Sequence, residues 1–362
     1  MADLSPHGML PLAFGMAQGG PSGIIPSIVA TAIFGAMSAS TMIKYATLAA
    51  EHKVDSIGEL WSRLINPKTR WVAELSIFSL CAGCCIFYSA FIGDIFGALV
   101  TSLGVKGFLA KRWVVLAAMS SIVLLPLCML EDLSALQFSS FLGVVGILYT
   151  VAFHIRRLLD KSYTPGADFL ETMAQKLQPS WPSPKFTTWR TNKGTLVLVN
   201  LLCVAFLAHY NAIAYFKELD QATPRRYSTA IAAGFGTAFS IFVVMMLVGY
   251  SIFGSAAQPL ILNNFHRSAD ALATLARLAT GLAITFAYPL MFAGVKSSMY
   301  NLLPTPAGPP TPSHKSSKQL MSTAVLVGIT SVAFKCGEED VSFVLGIVGS
   351  VLGCGVAYIL PG

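Results

Sequence analysis

The spacing of charges constrains this chain most. Long apolar runs carry no charged side chain, as from Ile24 to Ile43, and nearly all Lys, Arg, Asp and Glu fall in the breaks between such runs. A bilayer core about 30 Å thick is crossed by a helix of about 20 mostly apolar residues. Hydrocarbon offers no hydrogen-bond partners, so a crossing segment must satisfy its own backbone, which a helix does. The charge pattern therefore predicts repeated helical crossings of a membrane.

Composition agrees. Of the 362 residues 54% are hydrophobic and 11% charged, against roughly 25% charged in a soluble domain. A soluble protein of this size has no interior large enough for that much apolar surface. The formal net charge of +7 does not indicate nucleic acid, because the basic residues are dispersed over connecting loops and form no long run. Six of the seven cysteines lie inside apolar segments, where they read as small packing residues. Cys81, Cys84 and Cys85 contain a CxxC pattern, but with no second pair and no nearby His they do not form a zinc pattern. Residues 1–7 lack the basic start and apolar core of a signal peptide. HExxH, Gly-x-Ser-x-Gly and paired mid-membrane carboxylates are missing from the sequence, so an intramembrane enzyme is not expected.

Ten crossing segments are read: 8–20, 24–43, 71–103, 113–130, 133–154, 195–216, 227–254, 274–299, 318–334 and 341–360. A polar loop follows the fifth, and the prolines at 304, 306, 309, 310 and 312 exclude a helix from the linker before the ninth. Segment one is short and interrupted by Pro11 and several glycines, and segment six, five crossings later, carries His209, Tyr210 and Asn211 in its middle. A matched pair of interrupted spans is the sequence signature of a transporter built from inverted repeats. The chain divides on that basis into one transmembrane transporter domain, with repeat one at 8–154, a polar loop at 155–194 and repeat two at 195–361. Setting the N-terminus inside puts 11 Lys and Arg in the inner loops and 6 in the outer ones, with 7 more in the long loop. Short loops carry the topology signal, so the N-terminus is expected inside.

Segment six reads Phe206-Leu-Ala-His209-Tyr-Asn211-Ala-Ile-Ala-Tyr215-Phe-Lys-Glu218-Leu219. Segment eight contains Thr285-Phe-Ala-Tyr-Pro289, with Lys296 seven positions on. Tyr88-Ser-Ala-Phe-Ile-Gly-Asp94, the stretch from Pro126 to Ser140, and Gly349-Ser350 followed by Ile359-Leu-Pro361 stand in the same order along the chain. Together these resemble the amino acid/auxin permease family, and within it the sodium-coupled neutral amino acid transporters of systems A and N. The resemblance implies an all-α polytopic membrane protein with a leucine-transporter-like 5+5 inverted repeat of about ten transmembrane helices. Against the family pattern of eleven spans, the first helix is shortened and the eleventh does not follow Pro361.

The expected activity is secondary transport of small neutral amino acids by alternating access, coupled to Na+ or H+, with no resident cofactor. An amino-acid sensor and a truncated, inactive transporter-like chain are the alternatives. The expected partners are an amino acid and the bilayer of a plasma or vacuolar/lysosomal membrane, with no nucleic acid. Substrate is expected at the break formed by Gly8, Met9 and Leu10, where freed backbone groups meet a half-helix end, and at Phe206, His209 and Asn211 beside the second break. A polar His inside a span must line a cavity or bond a neighbouring helix. His209 is read as the sole histidine well inside a crossing. Thr285 is implied by the resemblance as a sodium ligand; the alternative is a bond to its own helix one turn back. Asp94 is expected near the outer face. Glu74 and Lys296 are expected to snorkel to the inner surface, and Glu218 and Asp220 to face Arg225 and Arg226 in a solvated gate.

Overall fold

The structure, a computed structural model, describes residues 3–18, 23–130, 137–171, 173, 177–179, 187–267, 269–303 and 312–360. Among them six helices are long and apolar enough to cross a bilayer by length and composition: Ile24–His52, Pro67–Ser102, Phe141–Leu159, Lys193–Glu218, Pro224–Ala256 and Ala271–Leu302. Two shorter apolar helices, Arg112–Cys128 and Phe343–Ile359, accompany them. No strand occurs among the described residues.

In chain order the helices are α1 (Ser5–Gly8), α2 (Leu12–Ala17), α3 (Ile24–His52), α4 (Ile57–Leu64), α5 (Arg70–Ser102), α6 (Arg112–Ala118), α7 (Leu125–Cys128), α8 (Gln137–Leu159), α9 (Asp168–Glu171), α10 (Lys193–Ala205), α11 (Ala212–Glu218), α12 (Pro224–Phe253), α13 (Ala271–Leu302), α14 (Pro312–Lys335) and α15 (Glu338–Ile347). Met119–Leu124 joins α6 to α7 through a widened π-helical turn, and the last segment continues from α15 in π-helical turns at Val348–Gly353 and Gly355–Ile359.

The ends of these helices follow local chemistry. Lys53 stops α3 in the left-handed conformation at φ 53°. Ser56 caps α4 by accepting the Glu59 N–H at 3.1 Å. Asn192 and Thr195 form a reciprocal capping box at the start of α10. Thr223 and Pro224 open α12, proline at the first position giving up no helical hydrogen bond. The same rule corrects the proline-rich linker: α14 begins at Pro312, earlier than the prolines suggested, because Pro312 occupies the first turn.

α13 packs along both α5 and α8, α12 packs against α3, and the first segment is held by α10 and α12. Buried polar contacts bind this bundle. Arg112 pairs with Asp94 at 2.5 Å and reaches the carbonyls of Ala90 and Ala333, so Asp94 is an interhelical partner. Arg277, counted above among outer-loop charges, is instead 1% exposed and donates to the carbonyls of Leu262, Phe265 and His266. Glu74 does not snorkel: it is buried, lies 3.7 Å from Arg70 and accepts from Asn301 at 3.0 Å. Lys296 donates to the carbonyls of Cys128 and Leu130, closing the C-terminal end of α7. Tyr45 of α3 donates to the Val356 carbonyl at 2.7 Å, and Ser38 bonds Tyr358 at 2.7 Å, fixing the last segment to α3. All seven cysteines are free thiols, and six of them are buried.

Candidate functional site

Both interrupted segments lose their helix where the sequence predicted. α1 ends at Gly8, and Met9 to Pro11 separate it from α2. Proline at 11 has no N–H for the ladder and its ring opposes a continuous helix. α10 ends at Ala205; Phe206 (φ −96°, ψ 23°) and Ala208 (φ −141°, ψ 13°) leave helical geometry, and His209–Asn211 form one 3-10 turn before α11.

The two breaks lie against each other. His7 Nε2 donates to the Val204 carbonyl at 3.2 Å, and Tyr88 of α5 bonds His7 Nδ1. A Cβ at Gly8 would stand 3.0 Å from the Ala205 carbonyl oxygen and would collide with the Phe242 ring, so only glycine permits this approach of backbones. Met9 and Leu10 are buried in the same place. The Phe206 ring fills space between helices: it stacks on Phe235 with centroids 6.0 Å apart, meets Phe242 edge-on at 4.9 Å and covers Gly35.

His209 is wholly buried. Its Nε2 lies 3.1 Å from the Ser38 carbonyl and 2.8 Å from Thr41 Oγ1. A carbonyl only accepts, so Nε2 carries the hydrogen and Nδ1 is the acceptor of a neutral ring. That Nδ1 is buried and has no hydrogen-bond partner among the described residues. An orphaned buried acceptor is costly unless a ligand or water fills its need. The rings of Tyr45 and Tyr358 stand 6.2 and 6.5 Å away.

His209 is not the sole intramembrane histidine. His7 and His154 are equally buried, His154 bonding the Thr150 carbonyl at 2.8 Å. His7 escaped notice because it precedes the apolar core of segment one, and His154 because it ends segment five.

On the other side of the turn, Tyr210 and Tyr215 each donate to the Asp3 carboxylate at 2.7 Å, and the Asn211 amide reaches Asp3, Tyr215 and the Leu290 carbonyl at 3.2 to 3.4 Å. Sequence reasoning passed over Asp3, which lies outside the apolar pattern. A cavity of about 140 Å3 adjoins this cluster, lined among others by Tyr210, Asn211, Asp55, Glu74, Ser297 and Ser298. Asp55 of its lining pairs with Lys217; Arg226, expected to face Glu218 and Asp220, bonds Gln221 instead. Thr285 is buried on α13, which touches α1, and donates its hydroxyl hydrogen to the Gly281 carbonyl at 2.7 Å. Its oxygen lone pairs are still able to accept or to ligate.

Residues 6–362 match a family model described as transmembrane amino acid transporter protein. The chain is 22% identical over 363 residues to sodium-coupled neutral amino acid transporter 7 of Homo sapiens, covering 97% of this chain and 73% of that one. It is 21% identical over 314 residues to amino acid transporter AVT6E of Arabidopsis thaliana, covering 83% of this chain. The chain spans 61% of the length of that plant relative. Vacuolar amino acid transporter 7 of Saccharomyces cerevisiae is 20% identical over 240 residues, covering 66% of this chain and 45% of the yeast protein. Among solved structures, a Na+-coupled sialic acid symporter in a substrate-bound outward-open state superposes with a TM-score of 0.55 at 14% identity, over 98% of this chain and 77% of that one. That likeness is one of fold, the leucine-transporter-like arrangement.

Proposed function

The chain belongs to the transmembrane amino acid transporter family and is a multi-pass membrane protein; on that premise we propose that it is a secondary carrier of small neutral amino acids driven by Na+ or H+. One observation carries the reading: the two broken segments meet at Gly8 and Ala205, beside a buried His209 whose Nδ1 lacks a partner among the described residues.

Gly8, Met9 and Leu10 offer the backbone face of the site, and His209 Nδ1 takes a hydrogen from the solute. Asn211 lines the cavity on the other side of the turn. Phe206 holds the spacing between helices, and Thr285 offers an oxygen to a sodium ion. Arg277, a buried arginine that could pair with an acidic side chain, is already occupied by three carbonyls. Neutral side chains fit that environment. Short breaks in two helices let half-helices tilt without unmaking whole spans, which suits alternating access.

The test is uptake of labelled alanine and glutamine by the purified chain in proteoliposomes, with an imposed Na+ gradient, an imposed proton gradient, or neither. Uptake above protein-free vesicles under one gradient supports the carrier. Binding of the amino acid without uptake under any gradient would favour a sensor and sink the reading.

A further inference from the structure

Two carboxylates, Asp55 and Glu74, line the cavity beside the second break, and a third, Asp3, lies behind its lining residues Tyr210 and Asn211; the three differ in their company. Asp55 pairs with Lys217, and Glu74 lies beside Arg70. Asp3 is 4% exposed, and its side-chain partners among the described residues are two phenol hydroxyls and one amide, all neutral. The ring nitrogens of the nearby His7 bond other groups than this carboxylate: Nε2 donates to the Val204 carbonyl and Nδ1 bonds the Tyr88 hydroxyl. Buried charge inside a bilayer is costly and marks pathways for ions and substrates.

We propose that the Asp3 carboxylate is a binding site for a monovalent cation, either Na+ or the ammonium group of the amino acid. Tyr210 and Asn211 both bond Asp3 and both line the cavity, so a cation in the cavity is one side chain from the carboxylate. The phenol and amide oxygens of Tyr210, Tyr215 and Asn211 are hard ligands of the kind such cations take. Rotation of either tyrosine hydroxyl turns a donor to Asp3 into an acceptor beside it. With ammonium as the occupant, the inference rests on the carrier reading; with sodium it stands alone.

The experiment uses the full chain in detergent and reads thermal stabilisation by NaCl against choline chloride, and by alanine, propionate or ethylamine in choline chloride. If sodium docks on Asp3, the Asp3→Asn variant loses the NaCl response and the wild type does not respond to ethylamine. If ammonium docks, wild type responds to alanine and ethylamine but not propionate, and Asp3→Asn weakens alanine by roughly tenfold or more, the loss of one charge-assisted contact. Asp3→Glu keeps the charge and retains a response, which separates cation binding from a folding defect. Equal responses in wild type and Asp3→Asn, or none in wild type, overturn the site. Uptake that survives in Asp3→Asn at wild-type rates overturns ammonium as the occupant and leaves the carrier standing. An Asp3-dependent sodium response without uptake does the reverse.

Discussion

Tyr88 on the third crossing bonds His7 on the first, and through His7 the carbonyl of Val204 on the sixth. One imidazole thus joins three helices at the point where two of them are broken. Replacing Tyr88 by Phe leaves His7 Nδ1 buried without a donor, a loss of about 1–3 kcal/mol. The thermal unfolding midpoint of the detergent-solubilised protein should fall, and uptake should fall with it. An unchanged midpoint would show that the bond is dispensable.

Gly8 touches both the Ala205 carbonyl and the Phe242 ring. Gly8→Ala should push the two breaks apart at a cost of about 1–3 kcal/mol in overpacking. Transport should be reduced more than stability. Adding Phe242→Leu should restore part of both, because it clears one of the two obstacles. Failure of the second change to help would place the damage at the Ala205 carbonyl.

Removing His209 as an acceptor should appear in substrate affinity. His209→Ala is expected to raise KM by roughly tenfold, the scale of one buried hydrogen bond, in proteoliposomes carrying equal amounts of protein. Thr41→Val removes only a neighbour of Nε2, whose hydrogen still has the Ser38 carbonyl; its effect should be under about twofold. Equal effects of the two would argue that His209 serves packing alone.

Asp270 is fully buried at the start of α13, where it accepts from Arg157 at 2.5 and 2.9 Å and from the Tyr163 hydroxyl at 2.9 Å. Asp270→Ala leaves Arg157 without its strongest partner and should cost about 3–5 kcal/mol. The double variant with Arg157→Met should recover much of it. Recovery is read from the unfolding midpoints in a double-mutant cycle.

Tyr163 lies in the loop after α8, and burial pushes its phenol well above the ordinary value. A group raised on folding contributes stability that is complete below its unfolded value of about 10 and is lost as pH rises through the folded value. The stability gap between wild type and Tyr163→Phe should therefore be constant from about pH 6 to 9 and shrink only in stronger alkali. A gap that changes near neutrality would contradict the burial of this hydroxyl.

The crossings were readable because lipid punishes charge: the empty stretch from Ile24 to Ile43 and its successors mark helices whatever their neighbours are. The two breaks were readable for the same reason, since Pro11 and the His209-Tyr210-Asn211 run have no place in an unbroken span. What the pattern hides is tertiary. Asp3 stands outside the apolar core of segment one, and the tyrosines that hold it are 207 and 212 positions away. Glu74 and Arg277 were judged by their distance from helix ends, yet each meets a partner from another part of the chain. Pro312 was taken as a breaker although a first turn accepts it. Thr285 behaves as its local alternative describes, bonding one turn back, and no periodicity could have told that hydroxyl from an ion ligand.

The bonds from Tyr45 to Val356 and from Ser38 to Tyr358 make α3 and the last crossing a single lever. The wall facing His209 is thereby assembled from opposite ends of the chain. Any motion that uncovers His209 on that side must either carry both helices together or sever these two tethers first. The latch over His209 is thus made of two phenols, and its strength can be adjusted without altering the histidine itself.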